Sequence, residues 1–233
     1  MKISNILRII SLIAMILLIV PILIVIFVLY TFINRKGNFE KHLTYHTPRL
    51  LSSQRQEYIN GAERYTKKAS IIIGLFVSFP LMIMFVSLLS QDVSNSFIIF
   101  LFIIFIILIE CLCTYLMYRF LMKNIKKQRL LLEQMSDSDF ELLLDIQKNT
   151  YLFKYFPPFI LCKDRLYFFS FLIKEIDPAS IKKVSFSYAR GGNILVHIKS
   201  ATSTTISLYK NVYPILVEII KRYSPDAQIE MPE

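Results

Sequence analysis

The chain has 233 residues, of which 55% are hydrophobic, and its mean hydropathy is +0.51. This composition is too apolar for an ordinary soluble domain and fits a small integral membrane protein. The net charge of +10 does not point to nucleic acid, because the excess of Lys and Arg flanks the apolar segments instead of covering a soluble face. We therefore expect anionic lipid headgroups as partners of the basic residues and no nucleic acid.

Three segments are apolar enough over a sufficient length to cross a membrane, which takes about 20 residues. They are residues 9–33, 69–90 and 96–118, and Glu110 is the only charged residue within them. The prediction is an N-terminal transmembrane helix at 1–33 and a transmembrane helical hairpin at 69–121. The apolar run at 9–33 is too long for a typical signal peptide and has no cleavage site after it.

The distribution of basic residues predicts the orientation. The loop at 34–68 has eight basic and three acidic residues, and five more basic residues follow the third span, whereas only Lys2 and Arg8 lie on the opposite side. The positive-inside rule therefore predicts a multi-pass protein of the cell membrane with its N-terminus outside and its C-terminal domain in the cytoplasm. The five basic residues are candidate lipid-headgroup contacts: Arg119, Lys123, Lys126, Lys127 and Arg129.

The basic cytoplasmic loop at 34–68 contains a partial apolar stripe between residues 50 and 65. This stripe predicts a short helix that lies along the headgroups, with Ser52 and Ser53 near its start. In the following span Ser70, Gly74 and Ser78 recur every four residues, which predicts a face for close helix approach. That face could pack against the first or third helix of the same chain, or form the seam of a homodimer.

Glu110 is the candidate functional residue within the membrane. An ionisable side chain in a span costs about 2.5 to 3.5 kcal/mol on insertion scales and usually has a role. It could form a proton or ion site or a polar contact with a partner's helix. The alternative is a protonated carboxyl that hydrogen-bonds a neighbouring helix, for example at Ser78 or Ser87.

Residues 122–150 are predicted to form a helical stalk and linker. The third helix should continue to Gln134, and the sequence SDFE from Ser138 to Glu141 predicts a capping box for a short helix ending near Lys148.

Short runs of aromatic and β-branched residues then predict a C-terminal domain at 151–233. The candidate strands are 151–156, 159–162, 165–171, 183–188, 193–199 and 204–209. KDR at 163–165 and ARGGN at 189–193 supply turns, and apolar residues at helical spacing from Val212 to Tyr223 predict a terminal helix. The expected fold class is therefore membrane α-helical with three transmembrane helices, plus a C-terminal α+β domain.

The stretch from Phe159 to Ser187, FILCKDRLYFFSFLIKEIDPASIKKVSFS, resembles the pleckstrin-homology-like domains that follow membrane hairpins in many Gram-positive bacterial proteins, including the YcxB-like group. Ile181 stands where these families place the residue that leads into the next strand. The resemblance implies an antiparallel β-barrel or bent sheet capped by a C-terminal helix. It also implies a membrane-adjacent role without enzymatic activity.

No set of residues predicts catalysis, a cofactor or a metal site. His42 and His46 have HxxxH spacing, but position 43 is Leu43 where a zinc protease needs glutamate, so we interpret them as loop histidines. His197 is expected to face solvent or cap a strand. A basic patch is possible at Lys182, Lys183, Arg190 and Lys199, although a solvated surface is favoured. The three cysteines fit neither a disulfide framework nor CxxC spacing and are expected to be reduced.

The sequence therefore predicts a non-enzymatic membrane protein whose cytoplasmic domain docks or regulates a partner protein or membrane complex. A protein partner or a homo-oligomer is expected through the second helix or the soluble domain. The alternative is a small transporter or channel component, or a peptide-immunity protein, that relies on Glu110. An intramembrane or metal-dependent hydrolase is disfavoured because Glu110 and the two loop histidines lack complete partner sets.

Overall fold

The computed structural model describes residues 20, 23–24, 26–31, 33–34, 39, 49–89, 96–150, 154–169, 173–189 and 193–230; at 77–78, 80–81, 84–89, 96–99 and 101–102 it describes the backbone alone. The chain divides into two compact units. Unit 1 comprises Met1–Arg35 and Asn60–Ile125, and unit 2 comprises Lys36–Ile59 and Lys126–Glu233.

Unit 1 is helical throughout its described residues. It contains helical residues between 20 and 34 and most of two 37-residue helices, α1 (Ser53–Leu89) and α2 (Ser96–Leu132). Within the described part of the chain, one helical segment, Ile103–Leu132 of α2, is long and apolar enough to cross a membrane by length and composition. The sequence predicts three such spans, and the first, at 9–33, lies mostly outside the described residues.

Helix α1 joins two elements that the sequence predicts as separate. The predicted interfacial helix at 50–65 forms the first part of α1, which begins at Ser53 and continues through Lys67, Lys68 and Ala69 without a break. The prediction of a separate helix was wrong. The residues at which the composition changes from polar to apolar include no helix breaker, and Lys and Ala are good helix formers. Tyr58, Ile59 and Ala62 on this first part of α1 are buried.

The C-terminal portion of unit 2 begins with the last part of α2, from Lys126, and continues with helix α3 (Asp137–Lys148). Its N-cap is Ser136, not the predicted Ser138: the Ser136 hydroxyl accepts a hydrogen bond from the Asp139 amide at 3.1 Å. Asp137 and Asp139 lie in the first turn, where carboxylates interact favourably with the helix dipole. The buried face of α3 consists of Phe140, Leu143 and Ile146.

Within the described residues, seven strands form two sheets. They are β1 (Phe159–Cys162), β2 (Arg165–Phe169), β3 (Ile173–Ile176), β4 (Lys183–Tyr188), β5 (Asn193–Lys199), β6 (Ser203–Tyr209) and β7 (Gln228–Ile229). One sheet has the order β1-β2-β3 and the other β6-β5-β4-β7. All neighbours are antiparallel except β4 and β7, which pair in parallel. Over the described strands the two sheets do not close into one barrel.

The terminal helix α4 (Tyr213–Tyr223) packs against both sheets in one hydrophobic core. This core includes Phe168 of β2, Val196 of β5, and Leu216 and Ile220 of α4. Pro214 lies in the first turn of α4, where its missing amide proton costs no helical hydrogen bond. The C-terminal region is therefore a sheet-rich α+β arrangement with an amphipathic helix against it.

The β1–β2 turn has an unusual backbone. Lys163 and Asp164 both have positive φ, 51° and 58°, a conformation that two-residue hairpin loops require and that Asn-Gly adopts more easily. Two side-chain hydrogen bonds hold the turn. The Lys163 ammonium donates to Gln134 Oε1 at 3.3 Å, and the Tyr223 hydroxyl of α4 donates to Asp164 Oδ1.

Candidate functional site

One residue of the predicted small-residue face of α1, Gly74, lies against α2 in unit 1. Gly74 is buried, and a Cβ placed on it would overlap Oγ1 of Thr114 on α2. Ser70 is 2% exposed, and its hydroxyl donates to the Thr66 carbonyl at 2.8 Å. The side chain of Ser78 is outside the described set. Gly74 therefore allows a close approach of two helices of the same chain.

Glu110 lies on α2 with its side chain partly exposed. Within the described residues, no hydrogen bond or ion pair joins its carboxyl to another side chain. Cys113, one turn further along, is buried, and Thr114 follows it.

The five basic residues that follow the apolar part of α2 differ in their exposure. Arg119 is exposed, and its Nη1 donates to the Tyr115 hydroxyl at 3.1 Å. Lys123 is partly buried, and its ammonium donates a hydrogen bond to the Ile33 carbonyl at 3.1 Å. The ammonium of Lys123 therefore forms a hydrogen bond inside unit 1.

The other three basic residues belong to unit 2. Lys126 is exposed, whereas Lys127 is 1% exposed and so has no surface to offer a headgroup. Arg129 forms an ion pair with Glu133 at 3.3 Å, and the Glu133 side chain is 1% exposed. Of the five predicted headgroup contacts, Arg119 and Lys126 are the most accessible.

A groove in unit 2 is a concave site that sequence reasoning did not anticipate. Its volume is about 340 Å³, at the small end of typical ligand sites. It is lined by Gln54, Glu57, Tyr58, Phe140, Leu144, Gln147, Lys154 and Tyr155. The first three come from the start of α1, the next three from α3, and the last two from the turn that precedes β1. We call it the α1–α3 groove.

Three aromatic rings form the floor of the α1–α3 groove. The Tyr58 ring stands edge-on to Phe140 at 6.2 Å and to Tyr155 at 5.5 Å between centroids, a favourable geometry for aromatic pairs. Gln128 of α2 holds the floor from below: it accepts from the Tyr58 hydroxyl at 3.4 Å and donates to the Tyr155 carbonyl at 3.0 Å. Burial, aided by the nearby Tyr155, raises the pKa of Tyr58 above its ordinary value, so this hydroxyl stays protonated as a donor.

Arg55 fixes the α1 side of the groove. Its guanidinium donates to the Leu132 carbonyl at the end of α2 at 2.9 Å and to Asp137 at 2.6 Å. The same group lies 5.4 Å from the centroid of the Phe140 ring. The Arg55 side chain is only 12% exposed, but the Asp137 side chain is 99% exposed, so solvent screens this ion pair as it does a typical surface pair. Arg55 thus ties the start of α1 to the end of α2 and to α3.

The rim of the groove is polar and carries charges of both signs. Gln54 and Glu57 are exposed on α1, and Gln147 is partly exposed on α3. None of these three side chains hydrogen-bonds another residue in the described part of the chain. The Lys154 ammonium lies 5.7 Å from the centroid of the Tyr155 ring. The rim therefore offers two amides, one carboxylate and one ammonium to solvent.

His197 belongs to a second polar cluster, on the outer face of the four-stranded sheet. One ring nitrogen lies 3.0 Å from the Thr205 hydroxyl and the other 3.3 Å from the Ser187 hydroxyl. These are cross-strand contacts between β4, β5 and β6 on an open surface. His42 and His46 are outside the described residues, and among those described no three His, Cys, Asp or Glu side chains come close enough to hold a metal ion.

The α1–α3 groove was missed because its residues are far apart in sequence. Tyr58 and Tyr155 are nearly one hundred positions apart, and no motif links them. The one available signal was the partial apolar stripe at 50–65, whose members Tyr58, Ile59 and Ala62 are buried in the structure.

Comparison with known proteins assigns no family to the chain. No protein-family model matches it, and no curated protein or solved structure matches it. The two sheets and the groove are therefore the basis for any functional argument.

Proposed function

We propose that the chain is a multi-pass protein of the cell membrane whose cytoplasmic part, comprising the start of α1, helix α3 and the C-terminal domain, docks a partner protein, without catalysis of its own. In this proposal three transmembrane helices anchor a domain of the pleckstrin-homology-like type. Support for the anchor comes from the apolar length of α2 and from the basic residues that follow it.

The observation that carries the docking role is the α1–α3 groove. Its aromatic floor is held in place by Gln128 and Arg55, so a ligand would not have to order it. Its rim leaves Gln54, Glu57 and Gln147 without a hydrogen-bonding partner among the described residues. A rigid apolar floor with polar groups around it is the usual anatomy of a recognition site.

Site-specific photocrosslinking in the native membrane tests this role. A benzophenone amino acid at position 147 replaces Gln147 at the groove, and the matched control carries it at the exposed Lys221 of α4, which does not line the groove. We expect a discrete protein adduct from position 147 that is absent from position 221. Equal labelling from both positions, or no protein adduct at all, would overturn the docking role.

Glu110→Gln separates this proposal from a proton-coupled device. Docking at the groove does not require an ionised carboxyl on the apolar part of α2, so the adduct from position 147 should persist in this variant. Loss of the adduct in a correctly inserted Glu110→Gln protein would instead favour a role that depends on Glu110.

A further inference from the structure

The rim charges and the floor of the α1–α3 groove together restrict what it can bind. The floor consists of the rings of Tyr58, Phe140 and Tyr155, which favour a bulky apolar side chain. A volume of about 340 Å³ has room for one such side chain and its neighbouring main chain, not for a folded surface. The part of the ligand that enters the groove is therefore limited to one side chain and its neighbouring main chain.

The two rim amides match a peptide main chain. Each glutamine side chain has one acceptor oxygen and a donor NH₂ group, which is the complement of a peptide carbonyl and amide. Gln54 stands on the α1 wall and Gln147 on the α3 wall. An extended segment lying between the walls would meet one amide on each side.

The charges on the rim define the residues next to the anchor. Glu57 lies on the α1 wall and Lys154 on the turn before β1, so the two charges belong to different elements of the rim. A basic ligand residue is favoured near Glu57 and an acidic one near Lys154, since complementary charges fix register more than they add affinity.

We infer that the α1–α3 groove binds a partner's peptide segment with a bulky apolar anchor flanked by one basic and one acidic residue. This inference rests on the proposed docking function and names the chemistry of its partner. The apolar anchor lies against the floor formed by Tyr58, Phe140 and Tyr155. Its main chain bonds Gln54 and Gln147, and its flanking charges pair with the rim.

Peptide selection on the full-length protein in nanodiscs tests the inference. The probe is a phage-displayed library of random dodecapeptides, with counter-selection on Leu144→Arg, which places a long charged side chain at the groove wall. We expect a consensus of one large apolar residue between Lys or Arg and Asp or Glu. Alanine at the anchor should weaken binding about tenfold to a hundredfold, the range expected for burying a large apolar side chain.

Reversal of the rim charges is the control, because a misfolded variant would lose binding but would not exchange the preferred charge of the peptide. Peptides selected on Lys154→Glu should have a basic residue in place of the acidic flanking residue and an unchanged second flank. Peptides selected on Glu57→Lys should have an acidic residue in place of the basic flanking residue and an unchanged second flank. A consensus that ignores these reversals, or peptides that bind Leu144→Arg equally well, would overturn the inference. So would displacement of the selected peptides by vesicles of phosphatidylethanolamine, because that zwitterionic headgroup could also pair with both rim charges.

The two proposals fail in different ways. A protein adduct from position 147 without the predicted consensus rejects the peptide chemistry alone. Absence of any adduct from position 147 rejects the docking function itself.

Discussion

Replacing Gly74 with alanine should destabilise unit 1, although alanine is the better helix former. Alanine would gain about 1 kcal/mol of helix propensity over glycine. The added Cβ would overlap Thr114 Oγ1 and lie 3.4 Å from Thr114 Cβ. Overpacking of this kind costs about 1–3 kcal/mol, and Thr114 does not easily turn away because branching at Cβ restricts its χ1 angle. We expect a net loss of about 1 kcal/mol.

Two substitutions at Thr114 are the matched controls. Thr114→Ala removes the overlapping atom, so Gly74→Ala should become stabilising in that background. Thr114→Val keeps an atom of similar size in the same place, so the penalty should persist. The double-mutant cycle should therefore give a coupling energy of about 1–3 kcal/mol with Thr114→Ala and close to zero with Thr114→Val.

The assay is the loss of far-ultraviolet ellipticity as the full-length protein, solubilised in mild detergent, is titrated with sodium dodecyl sulfate. All four proteins of each cycle are measured in the same detergent. A Gly74→Ala variant more stable than the parent, with a Thr114→Ala coupling below about 0.5 kcal/mol, would refute the close approach of the two helices.

Three further predictions concern polar side chains. The Thr66 hydroxyl is buried without a described hydrogen-bond partner, so Thr66→Val should raise stability in the same titration by about 1 kcal/mol, and a loss would contradict this. The hydrogen bond to Asp164, with a contribution from burial, raises the pKa of Tyr223 to about 12. The stability that this raised pKa contributes is fully present below the ordinary tyrosine pKa near 10 and is lost as the pH rises through 12. The difference in free energy of unfolding between the parent protein and Tyr223→Phe should therefore fall from pH 10 to pH 12. Burial raises the pKa of Cys162 to about 11, and its thiol faces the Leu131 carbonyl at 3.5 Å. Mass spectrometry should therefore find Cys162 unmodified by N-ethylmaleimide at pH 7.5 until the protein unfolds, and rapid modification of the folded protein would be inconsistent with burial.

Local sequence patterns located most of the C-terminal elements. β1, β4 and β5 have the predicted bounds. Buried and less buried side chains alternate along β5, as strand geometry requires, whereas all four residues of β1 are buried and form a short apolar run before the KDR turn. The predicted strand at 151–156 is wrong where it is described: Lys154 and Tyr155 form a turn, and the Tyr155 ring belongs to the groove floor instead.

Two strands were not predicted, for different physical reasons. β7 (Gln228–Ile229) is too short to show a period and exists because it pairs in parallel with β4. β3 (Ile173–Ile176) contains the polar pair Lys174 and Glu175, whose exposure at an open sheet edge hides the strand pattern. The groove was likewise invisible because only tertiary packing brings α1, α3 and the turn before β1 together.

The left-handed backbone at Lys163 and Asp164 has a consequence for the order of folding. Such a conformation costs about 1–2 kcal/mol for each residue, so an isolated β1–β2 hairpin should not persist. The interactions that offset this cost come from Gln134 and Tyr223, which are 29 and 59 positions away. The hairpin should therefore close only after the end of α2 and helix α4 have reached their places. In kinetic terms, substitutions in the turn should accelerate unfolding and leave the folding rate nearly unchanged, as expected for a region outside the folding nucleus.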